Sequence, residues 1–324
     1  MARVLRNPVW PGYFADPFVL RWGNDYFAYG TGEGLVAGAG PAPRAFEVLR
    51  SRDLVAWESL GGALPVARDC EGNAFWAPAV ATWNGRFLLY YSRAPAGRDE
   101  LHRLYVAIAE RPEGPFAEAG RVLPESEGFC IDAHPFRDPR DGRWYLFFAK
   151  DFFDERAGTG LAVVPLAEGL LRAAEPSRPV LRAHSDWQIY ERNRTLYGRH
   201  WPAWHTVEGP CAIAHDGRCY CFYSGGNWQT RDYGVSYAVA AHPLGPWSPA
   251  PETGPVVLRE RAGEIPGPGH NSHVVGPDGR TEFLVYHAWD AARTKRRMCL
   301  DRLVWTPQGP RCLGPTTEPQ PLSA

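Results

Sequence analysis

The sequence predicts an all-β chain, a single five-bladed β-propeller spanning residues 1–324, and three observations carry that expectation. One turn-and-strand motif occurs five times: WGNDYFAYGT around Gly23, NGRFLLYYS around Gly85, DGRWYLFFAK around Gly142, DGRCYCFYS around Gly217 and DGRTEFLVYH around Gly279. The glycines recur roughly every 57 to 75 residues, a length that suits a four-stranded blade with generous loops. Stretches with apolar residues at three-to-four spacing between helix caps are almost absent.

Each copy reads as a hairpin. Asn-Gly and Asp-Gly are tight turn signals because both central residues tolerate positive φ, and the aromatic-rich run that follows is the second strand. The segments VLRSRDLVAWE, YVAIAERPEGPF and YAVAAHPLGPW then read as outer strands. A two-sheet sandwich would not explain so regular a repeat.

Bulk properties narrow the partners. Lys and Arg total 35 against 36 for Asp and Glu, so no net field draws the chain to nucleic acid or to an anionic membrane, and a small neutral ligand is expected. Aromatic residues make up 13 %, with 13 tryptophans, enough for a core and for flat surfaces on which sugar rings can lie. Seven cysteines without a CxxC pair read as buried reduced thiols. The opening MARVLRNPVWPGYFADP holds no apolar run of signal-peptide length, and no segment approaches about 18 consecutive apolar residues, so a cytoplasmic location is expected.

The residues a few positions before each turn glycine are chemically unusual. They are Asp16, Trp76, Asp132, Glu208 and His270, in the contexts ADPF, FWAPAV, IDAHPF, VEGPCAI and GPGHNSHVV. If each hairpin begins with the innermost strand of its blade, the five side chains meet near the axis. A single acid beside a turn would be an ordinary turn residue. Three at matching positions of a repeat are costly to bury unless they are paired, solvated or used, because desolvation and mutual repulsion raise at least one pKa. Glycoside hydrolysis needs such an arrangement: one carboxyl protonated to serve the leaving oxygen, another ionised to activate water.

At these residues the chain resembles glycoside hydrolase family 43, a propeller family of β-xylosidases, α-L-arabinofuranosidases and arabinanases. The resemblance runs through NPVWPGYFADPFVLR, FWAPAVATWNGRFLLYYS, IDAHPFRDPRDGRWYLFF, VEGPCAIAHDGRCYCFYSGGNW, GPGHNSHVV and KRRMCLDRLVW, in that order. It implies Asp16 as general base, Glu208 as general acid, Asp132 as the residue that holds the acid's pKa and orientation, and an inverting mechanism. It implies Trp76, Ala77, Asn227, His270 and Arg296 as substrate contacts, with Arg297 facing the surface. No cofactor is required, although His270 matches a histidine that in some members helps hold a hydrated cation, so a structural Ca²⁺ or Na⁺ in the central channel is an open expectation. Asp138, in FRDP, mimics a motif of fructan-cleaving propellers but reads as a turn residue, because the acid stands in EGP at Glu208 to Pro210. Thr31 and Gly32 replace an aromatic that many β-xylosidases place beside the terminal sugar.

The longest interval between repeats contains HSDWQIYERNRTLYGRHWPAWHT, residues 184–206, which shows no strand alternation and ends just before Glu208. It is expected to be an irregular loop that walls the pocket, with Trp187, Arg192, Arg194, Trp201 and Trp204 as contacts. A walled pocket favours an exo enzyme acting on small oligosaccharides and releasing a terminal pentose, α-L-arabinofuranose before β-xylose or both. Two rivals remain. One is a non-catalytic sugar-binding propeller, and the other a phosphorolytic enzyme whose phosphate site would be Arg192, Arg194 and Arg199.

Overall fold

All five turn glycines adopt the left-handed conformation, with φ of 61°, 75°, 74°, 72° and 68° from Gly23 to Gly279. This is seen in a computed structural model, which describes residues 3–38, 40–251, 254–261 and 265–322. Each turn joins the first two strands of an antiparallel sheet. Blade 1 comprises Ala15–Trp22, Asp25–Thr31, Gly40–Ser51 and Glu58–Pro65, with the short strand Val36–Gly38 added at its edge. Blade 2 comprises Asn73–Trp83, Arg86–Pro95, Arg103–Ala109 and Ala117–Arg121, and blade 3 Cys130–Arg137, Trp144–Phe152, Gly158–Pro165 and Arg178–Leu181. Blade 4 is built from Arg199–His215, Arg218–Gly225, Gly234–Ala240 and Ser248–Pro249, and blade 5 from Gly269–Val275, Glu282–Trp289, Arg296–Thr306 and Gly309–Cys312. The first strand of each blade packs against the first strands of its two neighbours, and that of blade 5 returns to that of blade 1. The chain is a five-bladed β-propeller.

The core is divided to match. Five apolar clusters lie between successive blades, for example Phe46, Phe75 and Tyr91 between blades 1 and 2, and Val19, Val274 and Val285 between blades 5 and 1. Sheet faces that are buried on both sides explain why the second strands read as nearly continuous apolar runs such as FLLYY and YLFFA. All seven cysteines are unpaired, and six of them are buried. Among the described residues no helix is long and apolar enough to cross a membrane.

The innermost strands share an irregularity that the repeat did not announce. In every blade two of their residues oppose one residue of the second strand, and the first of the two has a positive φ: Asp16 (50°), Ala77 (49°), Asp132 (60°), Gly209 (57°) and His270 (48°). These bulges turn the chain where the five strands come together. They also correct the alignment made by counting from the turn glycines. Trp76 and Glu208 stand one residue ahead of the position held by Asp16, Asp132 and His270, because the distance from bulge to turn differs between blades.

The bulges are tied from blade to blade. The backbone N–H of Asp16 donates to His287 Nδ1 (3.1 Å), that of Ala77 to Thr31 Oγ1 (2.8 Å), that of Gly209 to Asp132 Oδ2 (2.9 Å) and that of His270 to Ser224 Oγ (2.7 Å). Each acceptor belongs to the preceding blade. Thr31, Ser224 and His287 occupy one structural position, opposite the residue just before the bulge. In blade 3 that position is Ala149, which has no acceptor to offer, and the Asp132 carboxylate takes the amide instead.

Residues 184–206 are not an irregular loop. After a short 3-10 turn at Asp186–Gln188, Ile189–Leu196 pairs antiparallel with the beginning of Arg199–His215, turning at Tyr197 and Gly198 with φ of 54° and 68°. Two successive positive φ values make the tight hairpin turn, and Tyr-Gly is an uncommon pair to supply it. Trp201 and Trp204 are buried with Tyr190 and Leu196 in a small core that the hairpin shares with Ala157 and Phe153 of blade 3.

The ring is closed by the chain ends. Arg3–Leu5 pairs with Gln320–Leu322, and Asn7 spends its amide on blade 5: Nδ2 donates to Leu300 O (2.9 Å), Asp301 Oδ2 (3.0 Å) and Thr316 O (3.0 Å), while Oδ1 accepts from Leu300 N (2.8 Å). Replacing Asn7 by Ala removes four hydrogen bonds, although Tyr286 and Gln320 still donate to Asp301 Oδ2 and Leu300 O. The expected result is a loss of about 2–4 kcal/mol in a denaturant titration; an unchanged midpoint would remove Asn7 from the closure.

Candidate active site

A cavity of about 520 Å³ opens where the innermost strands converge. Blade 1 contributes Asp16, Thr31 and the following Gly32 and Glu33; blade 2 Trp76; blade 3 Ile131 and Asp132; blade 4 Glu208, Trp228 and Tyr233; blade 5 His270 and Arg296. Tyr13 comes from the N-terminal segment, whose Phe14 N–H donates to Arg296 O (2.8 Å). The cavity thus gathers the three acids, Trp76, His270 and Arg296 from strands far apart in sequence.

The three carboxyls are held in different states. Burial alone would raise the pKa of Asp16, but His270, Arg296 and His287 around it hold the carboxyl well below the usual range. Its Oδ1 lies 3.3 Å from His270 Nδ1, 3.2 Å from His287 Nδ1 and 3.4 Å from Arg296 Nη1. Burial lowers the pKa of both imidazoles, that of His287 to about 4, and Arg296 is the permanent cation beside Asp16. That guanidinium is held by the Tyr13 hydroxyl, which accepts from Nε (3.0 Å) and Nη2 (2.8 Å), and it lies over the Trp228 ring at 4.3 Å. Trp228 in turn stacks on Trp289 at 5.7 Å.

Glu208 is pushed the other way. Burial, reinforced by the charge of Asp16, lifts its pKa to about 7 against the opposing pull of the Tyr233 hydroxyl and Arg296. Tyr233 donates to Glu208 Oε1 at 2.8 Å, and its ring stacks on His287 at 5.9 Å. A Cβ at Gly269 would stand 2.1 Å from the Tyr233 ring, so only glycine leaves room for it there. Asp132 is raised well above the carboxylate range, first by burial and then by the charges of Glu208 and Asp16, against the Gly209 N–H that it accepts. Gly209 follows Glu208 directly, so Asp132 anchors the backbone that carries the acid. Glycine suits this position doubly: φ is positive, and a Cβ would come within 3.2 Å of the His270 ring.

Other expected contacts lie elsewhere. Ala77 is beneath the cavity, lining a chamber of about 20 Å³ with His134, His270 and Asn271. Asn227 is turned away: Nδ2 donates to Tyr190 O (3.1 Å) and Oδ1 accepts from Gln229 N (2.9 Å). Trp201 and Trp204 are consumed by the hairpin core and do not line the cavity. Arg192, Arg194 and Arg199 form no cluster beside the acid. Arg194 lies over Tyr190 and Trp204, Arg199 lies over Trp201, and Arg296 is the one cation among the residues lining the cavity. Arg297 pairs with Asp290 (3.2 Å), and Asp138 accepts the Arg140 backbone N–H as a turn residue does.

As for a cation, the chamber has room for about one water-sized particle. Asn271 is buried there with neither side-chain atom partnered among the described residues. His273 pairs with Glu282 (2.8 Å) and does not line the chamber, whereas His134, His270, Asp16 and Asp132 do. The converging group of three ligand side chains among the described residues lies elsewhere, at Asp138, Asp141 and His242, where Arg140 already pairs with Asp138. With room for about one water-sized particle, the chamber suits a water or a single small ion.

A family profile described as glycosyl hydrolases family 43 matches residues 5–310. The chain belongs to that family. This family-43 protein is an inverting glycoside hydrolase. It is 29 % identical to the β-D-galactofuranosidase of Aspergillus niger, over 94 % of this chain and 83 % of that protein. It is likewise 29 % identical to an extracellular exo-α-(1→5)-L-arabinofuranosidase of Streptomyces chartreusis, over 66 % of this chain and 62 % of that one. The solved structure of a thermostable family-43 glycoside hydrolase superposes with a TM-score of 0.83 at 31 % identity, covering 98 % of both chains.

Several residues that shape this hydrolase's cavity escaped sequence reasoning: Tyr13, Glu33, Trp228, Tyr233 and His287. His287 had a signal, because it ends the DGRTEFLVYH repeat where Thr31 and Ser224 end theirs. The others lie outside the repeat register.

The charge states set the pH dependence. With Asp16 as base and Glu208 as acid, the roles that the family resemblance implies, activity is expected to fall as pH rises through about 7 and to persist well into acid. The Tyr233 hydroxyl favours the ionised form of Glu208, so Tyr233→Phe should raise that pKa and move the alkaline limb of kcat/KM to higher pH. A limb that stays in place, measured on an oligosaccharide whose leaving group needs a proton, would show that this hydrogen bond does not tune the acid.

Proposed function

We propose that this family-43 hydrolase removes terminal furanose residues, α-L-arabinofuranose first among them, from the ends of small oligosaccharides. The observation that carries the reading is the division of protonation within one cavity, with Asp16 ionised and Glu208 protonated near neutral pH. Asp16 takes a proton from water, the oxygen of that water attacks the anomeric carbon from the face opposite the departing bond, and Glu208 gives its proton to the leaving oxygen. Asp132 acts through the Gly209 amide by fixing the acid's backbone, and Arg296 keeps the base ionised. A propeller that only bound sugars would have no use for a neutral carboxyl facing an ionised one.

The choice of sugar is supported at blade 1. Thr31 and Gly32 stand where many β-xylosidases carry an aromatic, which favours a furanose over xylopyranose and places β-xylosidase activity, alone or combined, behind it. A second reading follows from the same opening. A side cavity of about 270 Å³ shares Gly32, Glu33 and Trp76 with the main one. Galactofuranose has the ring of arabinofuranose with one additional exocyclic CH₂OH, which that space would take, and the relative from Aspergillus niger is named for this sugar. A hydrated Na⁺ or Ca²⁺ in the chamber near His270 and Asn271 belongs to the proposal as a structural ion, and no step passes through it.

Nitrophenyl α-L-arabinofuranoside, β-D-galactofuranoside and β-D-xyloside tested side by side should rank in that order. Proton NMR of the first-formed sugar should show the inverted anomer. Glu208→Gln should lower kcat by about 10²–10⁴ on a substrate whose leaving group needs a proton; a variant as active as the parent would remove Glu208 from the reaction.

A further inference from the structure

A second cleft, of about 790 Å³, lies between the hairpin at Ile189–Leu196 and the loop that follows Gly225. We infer that it holds the leaving part of the substrate, an uncharged oligosaccharide chain passing Tyr190 and lying between Arg192 and Arg259. The inference rests on the hydrolase reading above and adds where the rest of the chain binds.

Position is the first argument. An acid must face the oxygen that departs, so the leaving group belongs on the Glu208 side, at blade 4. The cleft begins there: Asn227 lines it, and the next residue, Trp228, lines the catalytic cavity. Tyr190, another lining residue, is close enough to Glu208 to feel its charge. The side cavity at Gly32 and Glu33 lies at blades 1 and 2, so an extension of the terminal sugar and the leaving chain would occupy different spaces.

The cleft is also a built feature. Its hairpin wall is packed onto blade 3 through Trp201 and Trp204, and Asn227 fastens that wall to the opposite loop through Tyr190 O (3.1 Å). Trp187 fits against Gly225, where a Cβ would stand 2.6 Å from its ring, and its buried Nε1 has no partner among the described residues.

The chemistry of the lining selects the ligand. Asp186 and Glu260 are already paired, with Arg156 and Arg231. Arg192 and Arg259 are exposed and make no hydrogen bond or ion pair among the described residues, so ten donors are free, five on each guanidinium. Sugar hydroxyls accept from such donors and can give their own hydrogens to the carboxylates alongside. Acidic side chains interspersed among the arginines argue against a polyanion.

The test pairs nitrophenyl α-L-arabinofuranoside, whose leaving group is too short to reach the arginines, with linear α-1,5-arabinotriose. In the double variant Arg192→Ala, Arg259→Ala, kcat/KM for the trisaccharide should fall about tenfold or more, mainly through KM, while the nitrophenyl value stays within about twofold, since one charge-assisted hydrogen bond is worth roughly that factor. Equal losses on both substrates, or an unchanged trisaccharide rate, would overturn the inference. Failure of the unmodified enzyme to cleave the nitrophenyl arabinofuranoside would instead count against the arabinofuranose reading, and the cleft would be judged by the same ratio with the matched pair for the sugar that is cleaved.

Discussion

A left-handed backbone residue in the middle of a strand is costly outside glycine, and this propeller accepts one in every blade, at Asp16, Ala77, Asp132, Gly209 and His270. Four of the five bulge amides are received by a side chain of the preceding blade. These hydrogen bonds do two things at once. They satisfy donors that have left the sheet ladder near the axis, where a buried orphan would cost about 1–3 kcal/mol, and they set the angle at which each blade presents its residues to the cavity. The acid depends on this most directly. Because Ala149 cannot accept, the Gly209 amide is held by the Asp132 carboxyl group, so a residue that supports the fold is also the one that anchors Glu208.

Ring closure and charge are connected in a similar way. The N-terminal segment is stitched to blade 5 through Asn7, Val9 and Phe14, and it carries Tyr13 to Arg296. Arg296 keeps Asp16 ionised although the carboxylate is nearly excluded from water. On the opposite side Glu208 has only a tyrosine hydroxyl and the same, more distant, cation to offset its burial, and its pKa rises. A cation and two imidazoles placed nearer to one acid than to the other divide the two protonation states.

Much of the cavity was legible along the chain because polar residues interrupting apolar strands leave a visible mark: Asp16, Asp132 and His270 stand out in ADPF, IDAHPF and GPGHNS. Trp76 and Glu208 stood out as well, although they occupy a different position from the other three, one residue ahead of the bulge. Residues 184–206 were harder. Their aromatics resembled a sugar-binding wall, yet Trp201 and Trp204 pack the hairpin onto Ala157 and Phe153 of blade 3, since a two-stranded arm is not stable alone and must bury apolar surface against a neighbour.

The repeat, its hairpin turns and the apolar second strands are local matters of backbone conformation and side-chain period, and the sequence by itself determined them, together with the three acids that the innermost strands would carry. Which acid stays ionised was decided only by tertiary structure. That outcome depends on Arg296 reaching Asp16 across the ring seam, on Tyr233 and His287 arriving from blades 4 and 5, and on an alanine at position 149 that leaves one amide for Asp132. Electrostatic energy depends on distances between groups far apart in sequence, and those distances exist only once the five blades have closed.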